Sequence, residues 1–231
     1  LAVALEICGF DQVFKKVGME PTGDPFNSLM KLENTDSSPY NPMINAGAIV
    51  VASCLASEIS FDTMLDTIRA LCMDPDINLD KKVYHSEMSH ISRNRAIAYL
   101  LESKGYIEKN KDVENSLHFY VKMCSLSVTA ESLAGLGLIL ANDGIHPDTG
   151  KRLLSSQAVK IVKTLMFTCG MYDGSGEFAV RVGIPSKSGV GGGILSVVDG
   201  EMGIGIFGPA LDKKGNSVAD VEVQRFSRKP V

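Results

Sequence analysis

The sequence predicts an α+β protein, with helices through the middle of the chain and antiparallel strands towards its end. Three observations carry that expectation. Residues 45–58, NAGAIVVASCLASE, are apolar on almost every side, which marks a helix enclosed in a larger core. Apolar residues then recur at helical spacing as far as residue 142. After Cys169 the texture changes to short apolar runs punctuated by glycine, FAVRV, GGGILSVV and MGIGIF, which read as strands.

The opening LAVALEICGF starts an apolar pattern at residue 1 without a cap, a basic region or a small-residue cleavage site. It reads as a helix entered partway through and packed against the sheet. Asn45 is placed to cap the enclosed helix. The next helix runs from a cap at Ser60 through Phe61, Met64, Leu65, Ile68, Leu71 and Cys72, one apolar face, and Pro75 follows its end. A third is predicted over residues 86–103, stopping at Gly105, where a left-handed residue is least strained as glycine. Two more are expected at 117–124 and 130–142, the second capped by Thr129 and closed by Asp143-Gly144. A short one runs from Ser155 or Ser156 to about Phe167. Asp199-Gly200 supplies a two-residue turn that makes the last two apolar runs an antiparallel hairpin. The most linker-like stretch is 33–39, and no internal repeat is evident.

Composition narrows the function classes. With 231 residues, 45% of them hydrophobic and 22% charged, the chain can bury a core and needs only one domain. A net charge of −4 without a basic run argues against nucleic acid or an anionic membrane as partner. No apolar stretch reaches the roughly 18 residues of a membrane span. Five widely spaced cysteines (Cys8, Cys54, Cys72, Cys124, Cys169) argue against a disulfide framework and for a reducing compartment. The four histidines (His85, His90, His118, His146) lack ligand spacing, so neither a metal nor another cofactor is expected.

Several residues could carry chemistry, each with a bland alternative. Glu87 and Asn94, seven apart on one predicted helix, lie two turns apart on the same face, where carboxylate and amide can converge on a ligand or simply meet solvent. Asn45 is a ligand or a helix cap. Tyr172, in TCGMYDGSG, stands before a tight glycine turn, the usual setting of a structural tyrosine. Lys187-Ser188-Gly189-Val190-Gly191-Gly192-Gly193 leads into a strand; its glycines allow close approach to backbone, and an exposed N–H there could stabilise an oxyanion, or the tract is a bulge.

KSG entering a strand resembles the Lys-Thr/Ser-Gly element of penicillin-recognising serine enzymes, whose other signature is a Ser-x-x-Lys nucleophile at the start of a buried helix. EPTGDPFNS, NPMINAGAIV, Ser-Glu followed by Arg93-Asn94, TCGMYDGSGEFA, KSGVGGGI and GPALDKKGNS resemble, in order and across nearly the whole chain, segments of the serine-dependent glutaminase family. That resemblance implies a β-lactamase/penicillin-binding-protein-like fold: one domain, 1–231, with a helical lobe (43–166) packed on an antiparallel sheet lobe (1–42 with 167–231) and the active site between them. It implies substrate-holding roles for Asn45, Glu87, Asn94 and Tyr120, a tyrosine beside the nucleophile at Tyr172, an oxyanion N–H at Val190, and Lys187 close to the reacting centre. The chemistry is consistent. Free L-glutamine carries an α-ammonium suited to Glu87 and an α-carboxylate suited to the two amides and a tyrosine hydroxyl.

The implied activity is hydrolysis of L-glutamine to L-glutamate and ammonia through a serine acyl-enzyme. The family's Ser-x-x-Lys falls upstream of the segment aligned with Leu1. Within the chain, Ser28-Leu29-Met30-Lys31 fits the pattern in letters only: its run has strand or loop length, and strand residues three apart face opposite sides. Two rivals remain, a β-lactamase or D,D-peptidase-like serine hydrolase and a non-catalytic glutamine-binding scaffold. The tail GIGIFGPALDKKGNSVAD, without ankyrin-type repeats, favours a bacterial cytoplasm, and the resemblance implies a homodimer or homotetramer.

Overall fold

A computed structural model of the chain describes residues 1–23, 25–28, 38–109 and 112–218. It separates into two units. The first comprises Leu1–Glu20, Phe26–Ile68 and Asp76–Ser127; the second comprises Pro21–Pro25, Arg69–Pro75 and the chain from Val128 onward.

The first unit is helical. Helices α1 (Ala2–Ile7) and α2 (Phe10–Phe14) meet at Gly9, whose φ of 81° is open to glycine. Val3, Ala4 and Leu5 of α1 are buried, and α1 packs on α3 (Asn45–Ala56), so this opening segment belongs with helices and not with the sheet. Helix α3 is apolar all round and forms the centre of the unit, with Ile49 and Val50 fully enclosed. Gly47 has no room for a β-carbon, which would overlap the Asn41 carbonyl. Asn41 in turn is buried, donating to Glu20 O (2.8 Å) and accepting from Met43 N (3.0 Å), which fixes the approach to α3. Helix α4 (Phe61–Cys72) starts, as expected, at a Ser60 side chain that accepts from Thr63 N at 3.1 Å.

The single helix expected over 86–103 is two. Helix α5 (Lys81–Ser89) is capped by Asp80 and has no buried residue; α6 (Ser92–Ser103) buries Ile97, Ala98 and Leu101. The break lies at His90-Ile91, where Ile91, only 3% exposed, turns into the core. An exposed helix and one with a buried face thus meet at a single buried apolar side chain. Helix α7 (Val113–Cys124) starts earlier than its apolar pattern because Asp112 caps it through Asn115 N. Helices α6 and α7 pack against α3 and each other, and a two-residue antiparallel ladder joins β1 (Asn78–Leu79) to β2 (Leu126–Ser127). On the surface Arg95 forks onto both Glu114 oxygens at 2.8 and 3.0 Å.

The second unit holds the sheet. Helix α8 (Ala130–Ala141) begins at Thr129 in a reciprocal capping box with Ser132, whose hydroxyl also donates to Asp74 at 2.5 Å. It lies across a three-stranded antiparallel sheet of order β3-β4-β5, formed by β3 (Ser186–Ser188), β4 (Gly193–Val198) and β5 (Met202–Phe207). Gly137 of α8 meets Gly203 of β5, and β-carbons on Gly203 or Gly205 would overlap the α8 backbone at Ala134 or Ala130. The glycines of MGIGIF therefore serve helix-to-sheet approach. The hairpin is present, but Val198 pairs with Met202, so its loop is the three residues 199–201, with Gly200 at φ 70°.

Helix α9 (Ser156–Cys169) is capped by Ser155 and leads through a 3-10 turn, Tyr172–Gly174, into α10 (Ser175–Arg181). FAVRV, expected as a strand, is the end of α10. Phe178 and Val182, four apart, are both buried with Met171, Ile184 and Ile194, whereas Val180 is 89% exposed. That is a helical repeat too short to stand out beside its glycines. Helices α8 and α9 thus belong to the sheet-bearing unit, which differs from the lobe boundaries expected from sequence. Among the described residues, no single helix is long and apolar enough to cross a membrane.

Candidate active site

In the first unit, Asn45 is the first residue of α3 and leaves the cap position to Ile44, which makes no side-chain cap. Its side chain instead reaches across to α6, where Asn45 Nδ2 donates to Asn94 Oδ1 at 3.0 Å. The capping alternative for Asn45 is thereby excluded. Asn45 N donates to Phe26 O (3.1 Å) and Arg93 Nε to Asn27 O (2.8 Å), so the same stretch of chain is held from both helices. With Asn94 Oδ1 occupied, both N–H groups of Asn94 and the second of Asn45 have no protein partner among the described residues. Two half-buried amides thus present donors suited to a carboxylate.

Glu87 lies exposed on α5, and its carboxylate has no partner among the described residues. The spacing argument that set Glu87 and Asn94 on one helix face fails, because the break at His90-Ile91 puts them on different helices. Tyr120 is half-buried on α7.

The second unit brings together another group. Tyr172 has φ 53°, a left-handed backbone rare for a residue with a bulky side chain. Ser175 holds it there, its Oγ donating to Tyr172 O (2.7 Å) and accepting from Met171 N (3.0 Å). Ser188 N donates to Gly170 O at 3.0 Å, stitching β3 to the end of α9; Gly170 itself has no room for a β-carbon beside Ser186 O. This puts Lys187, the middle residue of β3, with its ammonium 4.4 Å from the centre of the Tyr172 ring. The ammonium also donates to Ser188 O.

Beyond β3 the chain closes a tight turn in which Gly189 N donates to Gly193 O and Gly192 N to Gly189 O, each at 2.9 Å. Gly192 takes φ 97°, next to the Gly208 backbone. Val190, at the tip, is half exposed, and its N–H has no acceptor among the described residues. Sequence reasoning passed over Ser188 as a separate feature: its Oγ is fully buried and without a hydrogen-bond partner among the described residues. A serine following a lysine carries no signal of that kind; only the fold reveals it.

Ser28 lies outside any helix, half-buried, while Leu29, Met30 and Lys31 fall outside the described residues. Among the described residues no three His, Cys, Asp or Glu side chains gather as a metal-binding group.

A family model described as Glutaminase matches residues 1–229. A glutaminase of Clostridioides difficile is 53% identical over 227 residues, 96% of this chain and 73% of that protein. One from Fusobacterium nucleatum is 53% identical over 223 residues, covering 95% and 72%. A crystal structure of a probable glutaminase of Bacillus subtilis superposes with a TM-score of 0.91 at 39% identity, over 96% of this chain and 75% of that one. A second crystal structure, of the Bacillus subtilis glutaminase YbgJ, matches with a TM-score of 0.84 at 36% identity, over 97% and 74%. That one is a covalent complex with 5-oxo-L-norleucine formed from 6-diazo-5-oxo-L-norleucine.

Proposed function

The chain belongs to the glutaminase family, with the β-lactamase-like α+β fold of its structural neighbours, and on that footing we propose how its residues serve the hydrolysis of L-glutamine to L-glutamate and ammonia. Glu87 receives the α-ammonium group. The amides of Asn45 and Asn94, locked in register by their mutual hydrogen bond, present N–H donors to the α-carboxylate, with Tyr120 contributing its hydroxyl. Charge at both ends of the amino acid is then matched, which leaves the neutral side-chain amide as the group offered for reaction.

The serine nucleophile of the family attacks the amide carbon. The oxygen becomes an oxyanion that accepts from the Val190 N–H, the serine proton passes to the departing nitrogen, and ammonia leaves a glutamyl ester. Water then breaks the ester to glutamate and restores the serine. Tyr172 and Lys187 flank this step: the ammonium over the ring places positive charge where negative charge develops. The observation that carries this reading is the Lys187–Tyr172 stack on a strand that leads, two residues on, to the Val190 N–H, which has no acceptor among the described residues. On the resemblance to the family, we place the protein in the cytoplasm as a homodimer or homotetramer. Light scattering of the purified protein checks the assembly.

The test is ammonia release from L-glutamine by the full-length protein, with nitrocefin as the control for penicillin-type amides. Turnover of glutamine alone is expected, and nitrocefin hydrolysis without ammonia release would return the β-lactamase alternative. Glu87→Gln removes one charge-assisted contact of about 1.5–3 kcal/mol, so kcat/KM should fall at least about tenfold at unchanged thermal stability. Unchanged kinetics in that variant would remove Glu87 from the site.

A further inference from the structure

Glu87 rides on a helix that the core does not hold. Helix α5 has no buried residue along its nine positions, so no apolar face fixes its rotation. Its N-terminus is tethered by the Asp80 side chain, which accepts from Lys82 N and Val83 N at 2.8 and 3.1 Å, and by Asp80 N donating to Ser125 O at 2.9 Å. Its C-terminus runs into the buried Ile91. Between these ends, among the described residues, one side-chain hydrogen bond joins α5 to another helix: Tyr84 OH and His118 Nδ1 of α7, 2.6 Å apart. Both side chains are half-buried, their ring centres 6.3 Å apart.

We propose that the Tyr84–His118 pair is the positioning element for Glu87, setting the rotation of α5 and thereby where the carboxylate stands to meet an α-ammonium group. Tyr84 and Glu87 are three residues apart, so they sit one above the other on neighbouring faces of the helix. A helix with its side chains has a radius of about 5–6 Å, so a rotation of about 10° moves a side-chain end by about 1 Å. A displacement of that size is enough to weaken a contact that depends on short, directed hydrogen bonds. Tyr84 and His118 act through Glu87 and touch no substrate atom in this assignment. Fastening the helix by a polar pin instead of an apolar face leaves the carboxylate in water, where a charged ligand arrives.

The inference rests on the assignment of Glu87 to the α-ammonium, and the experiment separates the two. Steady-state kcat/KM of the full-length protein is measured on L-glutamine and on glutaramate, the same amide and carboxylate without the α-amino group. The quantity read is the preference for glutamine over glutaramate. Glu87→Gln should cut that preference about tenfold or more. Tyr84→Phe, which keeps the ring and removes only the hydroxyl, should cut it several-fold, mainly through KM for glutamine, and should add nothing in a Glu87→Gln background. His118→Leu should match Tyr84→Phe, and His118→Asn, whose amide lies near the place of Nδ1, should restore most of the preference. A merely structural role would slow both substrates alike. If Glu87→Gln cuts the preference and Tyr84→Phe leaves it intact, the inference is overturned alone. If Glu87→Gln leaves it intact, the Glu87 assignment falls and the positioning role falls with it.

Discussion

Replacing Asn94 with alanine tests the amide pair most directly. The change removes the acceptor of the 3.0 Å bond from Asn45 Nδ2 and the two N–H donors assigned to the α-carboxylate. For the fold the effect is small. A neutral hydrogen bond contributes about 0.5–1.5 kcal/mol net, and alanine recovers about half a kcal/mol of helix propensity within α6, so the loss should be near or below 1 kcal/mol. For binding it is larger. A hydrogen bond to a charged group is worth about 1.5–3 kcal/mol, which at 1.36 kcal/mol per decade is roughly 10- to 150-fold in kcat/KM. The carboxylate does not react, so the loss should fall on KM and leave kcat nearly unchanged. Asn45→Ala should resemble it, and the double variant should fall short of the sum, because Asn94 orients the amide that Asn45 presents. Ammonia release from L-glutamine and from 4-aminobutanamide, which lacks the α-carboxylate, separates recognition from damage. Asn94→Ala with KM for glutamine within about twofold of the parent, or with equal losses on both substrates, refutes the assignment.

Lys187→Met should lose most turnover while folding normally, because the thioether keeps the packing on Tyr172 and removes the charge 4.4 Å from its ring; an active but less stable variant would make Lys187 a structural residue. Gly205→Ala forces a β-carbon into the Ala130 carbonyl and to 2.7 Å from Ala134 N of α8. Backbone cannot give way as a side-chain tip does, so a loss of about 2–3 kcal/mol is expected in urea unfolding, against a small gain if the position were open. The Arg95 fork, as a hydrogen-bonded partner first and a nearby charge second, holds the Glu114 carboxyl below its ordinary value of 4.5. A depressed carboxylate adds stability above its unfolded pKa that is lost as pH falls through its folded pKa. The difference in melting temperature between the parent and Arg95→Gln should therefore be largest above about pH 5 and shrink on acidification below about 4.5; a constant difference would show that the pair is not titrating.

Where the deciding groups lie close together in sequence, the sequence was sufficient. The enclosed α3, the Ser60, Thr129 and Ser155 caps and the antiparallel hairpin all follow from side chains a few residues apart. Failures came where the deciding group is distant in sequence. Asn45 stands in a position suited to a cap, and nothing nearby reveals that Asn94, 49 residues on, competes for its side chain. The 86–103 pattern shows continuous helical letters, yet the helix breaks because Ile91 enters the core while α5 stays in solvent. FAVRV is rich in β-branched and aromatic residues, but the burial of Phe178 and Val182 on one side selects a helix. Glycines in MGIGIF and in KSGVGGG look alike as letters. The former admit a neighbouring helix, while the latter form a turn that exposes a backbone donor.

The strained tyrosine shows how the candidate residues of the second unit depend on the fold. A left-handed backbone costs about 1–3 kcal/mol at a residue with a β-carbon, so an isolated Met-Tyr-Asp-Gly segment would rarely adopt it. In the structure the turn is determined from several sides. Gly174 N donates to Met171 O at 3.0 Å, Ser175 Oγ bridges Tyr172 O and Met171 N, and Asn216 Nδ2 reaches Met171 O at 3.2 Å from 45 residues away. Gly170 adds a close approach to β3 that only glycine permits. A separate bond, from Ser188 N to Gly170 O, ties the strand bearing Lys187 to the chain two residues before Tyr172, so the ring and the ammonium are positioned by contacts that lie side by side. The strained backbone is thus carried by contacts that the fold supplies, Ser175 from the next turn and Asn216 from 45 residues away, and it is from this backbone that the ring meets the Lys187 ammonium.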